Sequence, residues 1–408
     1  MSNQFSRRSF LSNNLLGAGA AALSGSLLAQ NNVQGFEQSE KENNSVWEPF
    51  SDKKVKVGLV GYGFCKFAAQ WEFQNHPNVE IVAVSDLFED RCNELAKVVK
   101  CEKTYPSLEE MVKDDSIEAI FCATDAPSHA KHCIEVLKHG KHVATAVPVF
   151  YGNIEYADMI LECVKENPDL IYAMFETSTF HDDLYAMSKI YEAGGFGKIL
   201  YSEGEYCHTK APGSTYYPSY GDWRKNGCPI WYPTHATAYH ISVTHGSFID
   251  VSCKGFTYKK DKQPNASGNI FDGEVGLFRT NDGGMSRMMC HSTYGVYLEA
   301  GRVRGEIGGF DGTFQDIFSA YTGTDEGRRI VKELGDKIKK YPLPPTVQSG
   351  SHGGSHGYHC DNFIRSILLK EKPAVGIIDA LNMTVPGYYA HLSAVKDGET
   401  MKIPQYSL

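Results

Sequence analysis

The run Tyr232-Pro-Thr-His235 joins a phenol to an imidazole three residues away. A neutral imidazole takes a hydroxyl proton near neutral pH, and a phenol donates a proton or binds a hydroxyl. His235 is therefore the first candidate for general acid–base work, with Tyr232 beside it. In Glu203-Gly-Glu-Tyr206-Cys-His208 the alternation of a strand puts Tyr206 and His208 on one face and Cys207 on the other. That face either meets a substrate or is plain sheet surface. Glu176 follows an apolar run, where open α/β sheets hold ligands; it reads as an acid or as a carboxylate at a helix start. Trp223-Arg224 offers an apolar platform and a hydrogen-bonding fork, or anchors a loop. His352, His356 and His359 have a spacing that invites a metal. Neither a carboxylate nor a thiolate pattern supports one, and Gly and Ser neighbours suggest a loop. The expectation is no metal and a substrate-facing His352.

A second constellation binds rather than reacts. Gly58-Leu-Val-Gly61-Tyr-Gly63 ends an apolar strand and opens the next element. Gly61 permits a tight turn, and Gly63 lets backbone amides approach a pyrophosphate. Asp86 ends the second strand, 23 residues after Gly63, where a carboxylate accepts ribose hydroxyls. Leu87 and Phe88 follow it with no adjacent Arg for a 2′-phosphate, which favours NAD over NADP. Lys66 stands where a third glycine is usual and must point outward or toward phosphate. Phe64, Thr124, His129, Val147 and Pro148 complete the candidate cofactor set; His129 reads equally as a capping or packing residue in a first helical turn.

Elements must position these groups. Apolar runs at 54–60, 79–85, 117–123, 142–147 and 170–175 read as strands. Helical periodicity falls at 64–75, 89–99, 107–114, 130–137 and 154–165. Strand–helix alternation predicts a doubly wound parallel sheet, a Rossmann domain over 54–175. Beyond about residue 198 the texture changes to longer strands at 198–208, 249–259, 273–280 and 284–292. Asn281-Asp282-Gly283-Gly284 signals a hairpin. The prediction for 176–408 is an α/β domain with an open, mainly antiparallel sheet. Residues 342–357 read as a linker, followed by helices at 358–369 and 379–395 that could pack back on the Rossmann domain.

Composition narrows the partners. With 40 Lys and Arg against 49 Asp and Glu, the net charge is −9. That gives no electrostatic reason to hold nucleic acid or an anionic membrane, and leaves small molecules. Ser6-Arg7-Arg8-Ser-Phe-Leu, then an apolar stretch broken by Gly and Ser, has the layout of a twin-arginine export signal over 1–30, with a polar linker over 31–53. The stretch is too broken for stable membrane insertion. Export to the periplasm deprives a nicotinamide enzyme of a cofactor pool, so a retained, recycled cofactor is expected. The 11 cysteines lack a C-x-x-C pair and mostly sit in apolar runs, like small buried hydrophobes.

From about residue 54 to its end the chain resembles Gfo/Idh/MocA-type oxidoreductases. The resemblance rests on Lys56-Val-Gly-Leu-Val-Gly-Tyr-Gly63, Thr124-Asp-Ala-Pro-Ser-His129, and Gly140-Lys-His-Val143 leading to Pro148. It implies a Rossmann domain, an open-sheet domain, a nicotinamide cofactor, a sugar-like substrate and a homo-oligomer built through the open sheet. It also implies that His235 lies on a helix facing the nicotinamide. The family's dehydrogenases usually carry Glu-Lys-Pro, where this chain has Ala146-Val147-Pro148. Val147-Pro148, Met174-Phe-Glu176 with the helix after it, the Tyr206 and His208 strand, Tyr232-Pro-Thr-His235, His352-Gly-Gly-Ser and Asp379-Ala-Leu-Asn-Met resemble the branch with glycoside hydrolase family 109. Three readings follow: an NAD-dependent carbohydrate oxidoreductase, a redox-neutral NAD-dependent glycosidase, and a non-catalytic sugar-binding relative.

Overall fold

The computed structural model describes residues 46–208, 219–258, 261–292, 297–312, 314–316 and 338–408. The expected export signal (1–30) and most of the expected linker lie outside these residues. No helix among them is long and apolar enough to cross a membrane.

Strands β1 (Val55–Val60), β2 (Val79–Ser85), β3 (Thr104–Tyr105), β4 (Ala119–Cys122), β5 (His142–Ala146) and β6 (Tyr172–Phe175) form one parallel sheet. Its order is β3-β2-β1-β4-β5-β6, the doubly wound order that opens a crevice between β1 and β4. Helices α1 (Glu89–Val99), α2 (Leu108–Met111), α3 (His129–Lys138) and α4 (Glu155–Glu166) cover it. β4 and β6 are buried at every position, as strands covered on both faces must be.

The expected helix over 64–75 does not form. Two single 3-10 turns, Phe67–Ala69 and Phe73–Asn75, take its place. Lys66 and Glu72 adopt left-handed backbone at φ 52° and 65°, which interrupts any continuous helix. The cause is tertiary. Trp71 is buried against Phe175 and stacks on His356 at 4.1 Å between ring centroids, and helical pitch would not deliver it there. Lys66 points outward and pairs with Glu94 at 2.5 Å.

Past β6 come α5 (Asp182–Glu192), β7 (Ile199–Cys207), α6 (Trp223–Asn226), α7 (Thr234–Thr244), β8 (Phe248–Phe256), β9 (Gly273–Thr280), β10 (Met285–His291), β11 (Leu298–Gly305), β12 (Gly308–Phe310), β13 (Phe314–Asp316), α8 (His356–Leu369), α9 (Ile377–Val395) and β14 (Met401–Lys402). The second sheet runs β13-β12-β11-β7-β10-β9-β8-β14. It is antiparallel except where β10 pairs parallel with β7. The expected hairpin closes β9 to β10, with Gly283 at φ 91°.

α7 is buried on all sides and lies on the sheet at unusual closeness. A Cβ at Gly204 of β7 would sit 1.9 Å from the carbonyl oxygen of Ala236. Glycine in mid-strand weakens the sheet locally and here admits a helix backbone. α8 begins at His356 rather than 358, so His356 joins His359 in the helix. Cys360, Phe363 and Ile364 of α8 join the Rossmann core, whereas α9 packs under β8 and α7. All eleven cysteines are free, and only Cys65 is not buried.

Candidate active site

The mouth of the β1–β4 crevice widens into a cleft of about 1060 Å³. It is lined by Gly61, Gly63 and Phe64, by Asp86, Thr124, His129 and Val147, and then by Trp223, Arg224 and Tyr232. Gly61 has φ 97°, and a Cβ there would lie 2.4 Å from the Ala123 carbonyl oxygen. Only glycine lets β1 turn beside β4. Gly63 differs: a Cβ would meet nothing within 4 Å, so its missing side chain leaves open cleft. Asp86 Oδ2 accepts the Tyr62 amide at 2.6 Å and Oδ1 accepts the Phe88 amide at 2.9 Å. The carboxylate thus locks the glycine turn, and each oxygen keeps a further lone pair for a ribose hydroxyl. Arg91 lies 4.3 Å from the Phe88 ring centroid, a guanidinium at this end that adjacency in sequence did not reveal.

The cradle fits a dinucleotide, with one difference from expectation. Since 64–75 is not a helix, a helix dipole does not face the turn, and the anion would be held by loop amides alone. His129 braces the wall: Nδ1 donates to the Pro148 carbonyl at 2.8 Å, and Nε2 lies 3.1 Å from the Thr124 carbonyl. Burial pushes its pKa down, which suits a neutral packing imidazole.

At the far end the tyrosines and His235 converge. His235 lies 4.5 Å from Tyr206 and 5.5 Å from Tyr232, ring centroid to centroid. Trp223 stacks on Tyr232 at 6.0 Å, and His208 meets Tyr206 edge-on at 5.7 Å. His235 is in the first turn of α7, so the close seating of α7 on β7 brings it to Tyr206.

Glu176 stands behind His235. Its Oε1 is 2.6 Å from His235 Nδ1 and also accepts the Ser178 amide at 3.0 Å and hydroxyl at 2.8 Å. Glu176 is fully buried, and its Oε1 is taken up by His235 and Ser178, so its contact is with the imidazole. This revises the reading of Glu176 as an acid acting directly; the turn-start reading also holds, since it caps the 3-10 turn Thr177–Phe180. Burial pushes the Glu176 carboxyl up, but the imidazole beside it and the Ser178 amide pull it down further. Burial pushes His235 down, and the charges of Glu176 and Glu299 raise it well above an ordinary histidine. His235 Nε2 has no hydrogen-bond partner among the described residues.

Glu299 was not legible in the sequence. It sits on β11 and its Oε1 lies 2.5 Å from Ser178 Oγ, 3.5 Å from His181 Nδ1 and 3.7 Å from His235 Nδ1. Only its alternation with Tyr297, whose hydroxyl donates to Oε2 at 2.9 Å, could have hinted at a shared face. Glu176, His235 and Glu299 gather at metal-ligand spacing, yet each nearest atom already serves a hydrogen bond inside the cluster.

Of the three C-terminal histidines, His352 and His356 meet and His359 turns elsewhere. His359 Nε2 donates to the Glu176 carbonyl at 2.7 Å. His356 Nδ1 donates to the Gln70 carbonyl at 3.0 Å, and its Nε2 accepts from His352 Nδ1 at 2.9 Å. Burial lowers all three, His356 to about 3 and His359 to about 4. Of the three, only His352 is exposed, in the loop whose Gly353 touches His181.

Residues 55–175 match the family model described as an oxidoreductase family with an NAD-binding Rossmann fold. Among curated relatives, a glycosyl hydrolase family 109 protein of Phocaeicola vulgatus is 32% identical over 164 residues, 38% of this chain and 29% of that protein. The chain therefore aligns to less than a third of that relative. A family 109 protein of Solibacter usitatus is 23% identical over 86% of this chain and 88% of its own. Among solved structures, levoglucosan dehydrogenase in complex with NADH and levoglucosan matches with a TM-score of 0.67 at 16% identity, over 86% of this chain and all of that one (100%). Scyllo-inositol dehydrogenase of Lactobacillus casei, solved with NAD(H) and scyllo-inositol, matches at 0.63 and 14%, over 86% and 99%. At such identities these structures speak for the fold. Over residues 55–175, then, this chain matches the Gfo/Idh/MocA oxidoreductase family through its NAD-binding Rossmann domain.

Proposed function

We propose that this protein is an NAD-dependent oxidoreductase acting on a carbohydrate, with the cofactor retained and recycled. One observation carries the reading. A carboxylate-backed imidazole, His235, has an Nε2 without a hydrogen-bond partner among the described residues and lies beside Tyr206 and Tyr232, of which Tyr232 lines the dinucleotide cleft. When bound, NAD supplies a hydride acceptor at that end.

The chain's own residues handle the proton and the sugar. His235 Nε2 takes a hydroxyl proton, and Glu176 stabilises the imidazolium that results. Glu299 adds a second negative charge to the same end. Tyr206, Tyr232 and His208 offer hydrogen bonds to hydroxyls, and Trp223 offers an apolar face to a sugar ring. NAD is favoured over NADP because the Asp86 carboxylate repels a 2′-phosphate, although Arg91 stands near.

Redox-neutral glycoside hydrolysis is the second reading, favoured by the family 109 relatives and by the tyrosine pair. Burial raises both phenols, Tyr232 to about 12, so they stay protonated and can hydrogen-bond to a leaving-group oxygen. A non-catalytic sugar-binding relative is a third, set against by the intact Glu176–His235 pair. Export by the twin-arginine route rests on Arg7-Arg8 and the apolar stretch after it. Assembly through the open sheet face is supported by its outward Leu277 and Met285, each more than a third exposed.

The test uses purified full-length protein. Bound NAD is sought by absorbance, and aryl glycosides and free sugars are then supplied. Net NADH supports the oxidoreductase reading, and aryl release without net NADH supports the glycosidase. Neither product across a broad panel sinks both. His235→Ala should abolish isotope exchange at the oxidised carbon; retained exchange removes His235 from the mechanism.

A further inference from the structure

Among the described residues Arg224 has no carboxylate counter-ion, and its side chain hydrogen-bonds to the Tyr232 phenol. It lines the cleft on two aromatic rings, 4.2 Å from the Trp223 centroid and 5.4 Å from that of Tyr232. A half-buried guanidinium favours an anion, and cation–π contact supplies only part of what hydration gave. The cleft is where that anion can arrive.

Two anions could meet it: a carboxylate on the substrate, or the pyrophosphate of the dinucleotide. Position favours the first. Arg224 stands with Trp223 and Tyr232, the aromatic pair at the reacting end. Tyr232 is the common neighbour of Arg224 and His235, so one sugar ring lying against it reaches both groups. The acidic groups of the site, Glu176 and Glu299, gather on the His235 side. The surroundings of Tyr232 are therefore polarised, with the Arg224 cation on one side and carboxylates behind His235 on the other. A planar guanidinium also matches a carboxylate bidentately, a fit that a neutral sugar does not need. Lys66 and Arg91 also line the cleft, beside Tyr62 and Phe88, so Arg224 is the cation seated on the Trp223–Tyr232 pair.

We propose that the substrate is an acidic carbohydrate, a uronic acid or a glycoside of one, whose carboxylate is held by Arg224. The inference rests on the sugar-site reading above. It is tested by calorimetric titration of the NAD-loaded full chain with glucuronate and galacturonate against glucose and galactose. At least one hexuronate should bind 20-fold or more tighter than its hexose. Arg224→Gln should erase that preference, Arg224→Lys should keep part of it, and both should keep NAD affinity within about threefold. Equal binding of acid and neutral sugars by the unaltered protein, or binding of neither, overturns the proposal without needing a variant to fold. So does a tenfold or greater loss of NAD affinity in Arg224→Gln, which would assign the cation to the pyrophosphate. A chain that retains no dinucleotide at all defeats the proposed function instead, and binding of the hexuronates by the NAD-free chain is then read by itself.

Discussion

Glu176 and His235 divide one task. A fully buried carboxylate is costly unless a positive partner lies against it, and His235 is that partner. The pairing raises the pKa of His235, so the base form accumulates only as pH climbs above the usual histidine range. The oxidative rate should therefore rise with pH on the alkaline side of neutrality. In Glu176→Gln the raising charge is gone, so the rise should move down by at least one pH unit. The maximal rate should fall by about 100-fold, as when a proton acceptor loses its orienting group. A pH profile of kcat/KM checks both; an unmoved midpoint would mean that His235 is not the titrating base. Gly63 gives a cleaner residue-scale test. A Cβ there projects into empty cleft and meets no protein atom within 4 Å. Gly63→Val should weaken NAD binding by about 100-fold or more while Tm changes by less than about 2 °C. Loss of both together would make Gly63 a folding residue.

At the scale of elements, the site is made by one helix pressed onto one sheet. α7 carries His235, and Gly204 of β7 is where its backbone comes nearest. Gly204→Ala puts a methyl group inside the space of the Ala236 carbonyl, so α7 must lift. Overpacking of this kind costs about 1–3 kcal/mol, and more when backbone must move. Denaturant melts should show that loss, and exchange at the oxidised carbon should fall further than stability alone explains, because His235 withdraws from Tyr206. Wild-type exchange in a destabilised Gly204→Ala chain would show that the closeness serves packing only. The absent first helix belongs to the same scale. Its apolar residues recur at helical spacing, yet Trp71 is claimed by His356 and Phe175, partners from distant parts of the chain. Local periodicity cannot register a competitor so far along the sequence.

For the molecule as a whole, buried neutral histidines set the acid limit. His132, His240 and His359 are held at about 4 and His356 at about 3, against an ordinary 6.5, with burial the largest cause in each. Their folded pKa values lie below the unfolded one, so the unfolded chain binds protons first as pH falls. The stability they contribute is complete above 6.5 and is lost through the window from 6.5 toward 4. Glu203 and Asp250, held at about 2 by arginine and lysine partners, act only at lower pH. Tm should therefore drop by roughly 10 °C or more between pH 7 and 5, before the carboxylates titrate. A flat Tm across that interval would mean that these imidazoles are charged or solvated in the folded chain.

The local rules carried far. Strand–helix alternation specified the parallel sheet, because a strand buried on both faces must be apolar throughout. The glycine turn, Asp86 and the Tyr232-Pro-Thr-His235 run were readable because turns, strand ends and helix starts constrain residue type at short range. What the sequence could not determine were pairings across long separations. Glu299 behind Ser178, Glu176 behind His235 and Trp71 on His356 all depend on which surfaces meet after the chain has collapsed. Burial and a partner's charge are properties of the assembled core, and only tertiary structure fixes them.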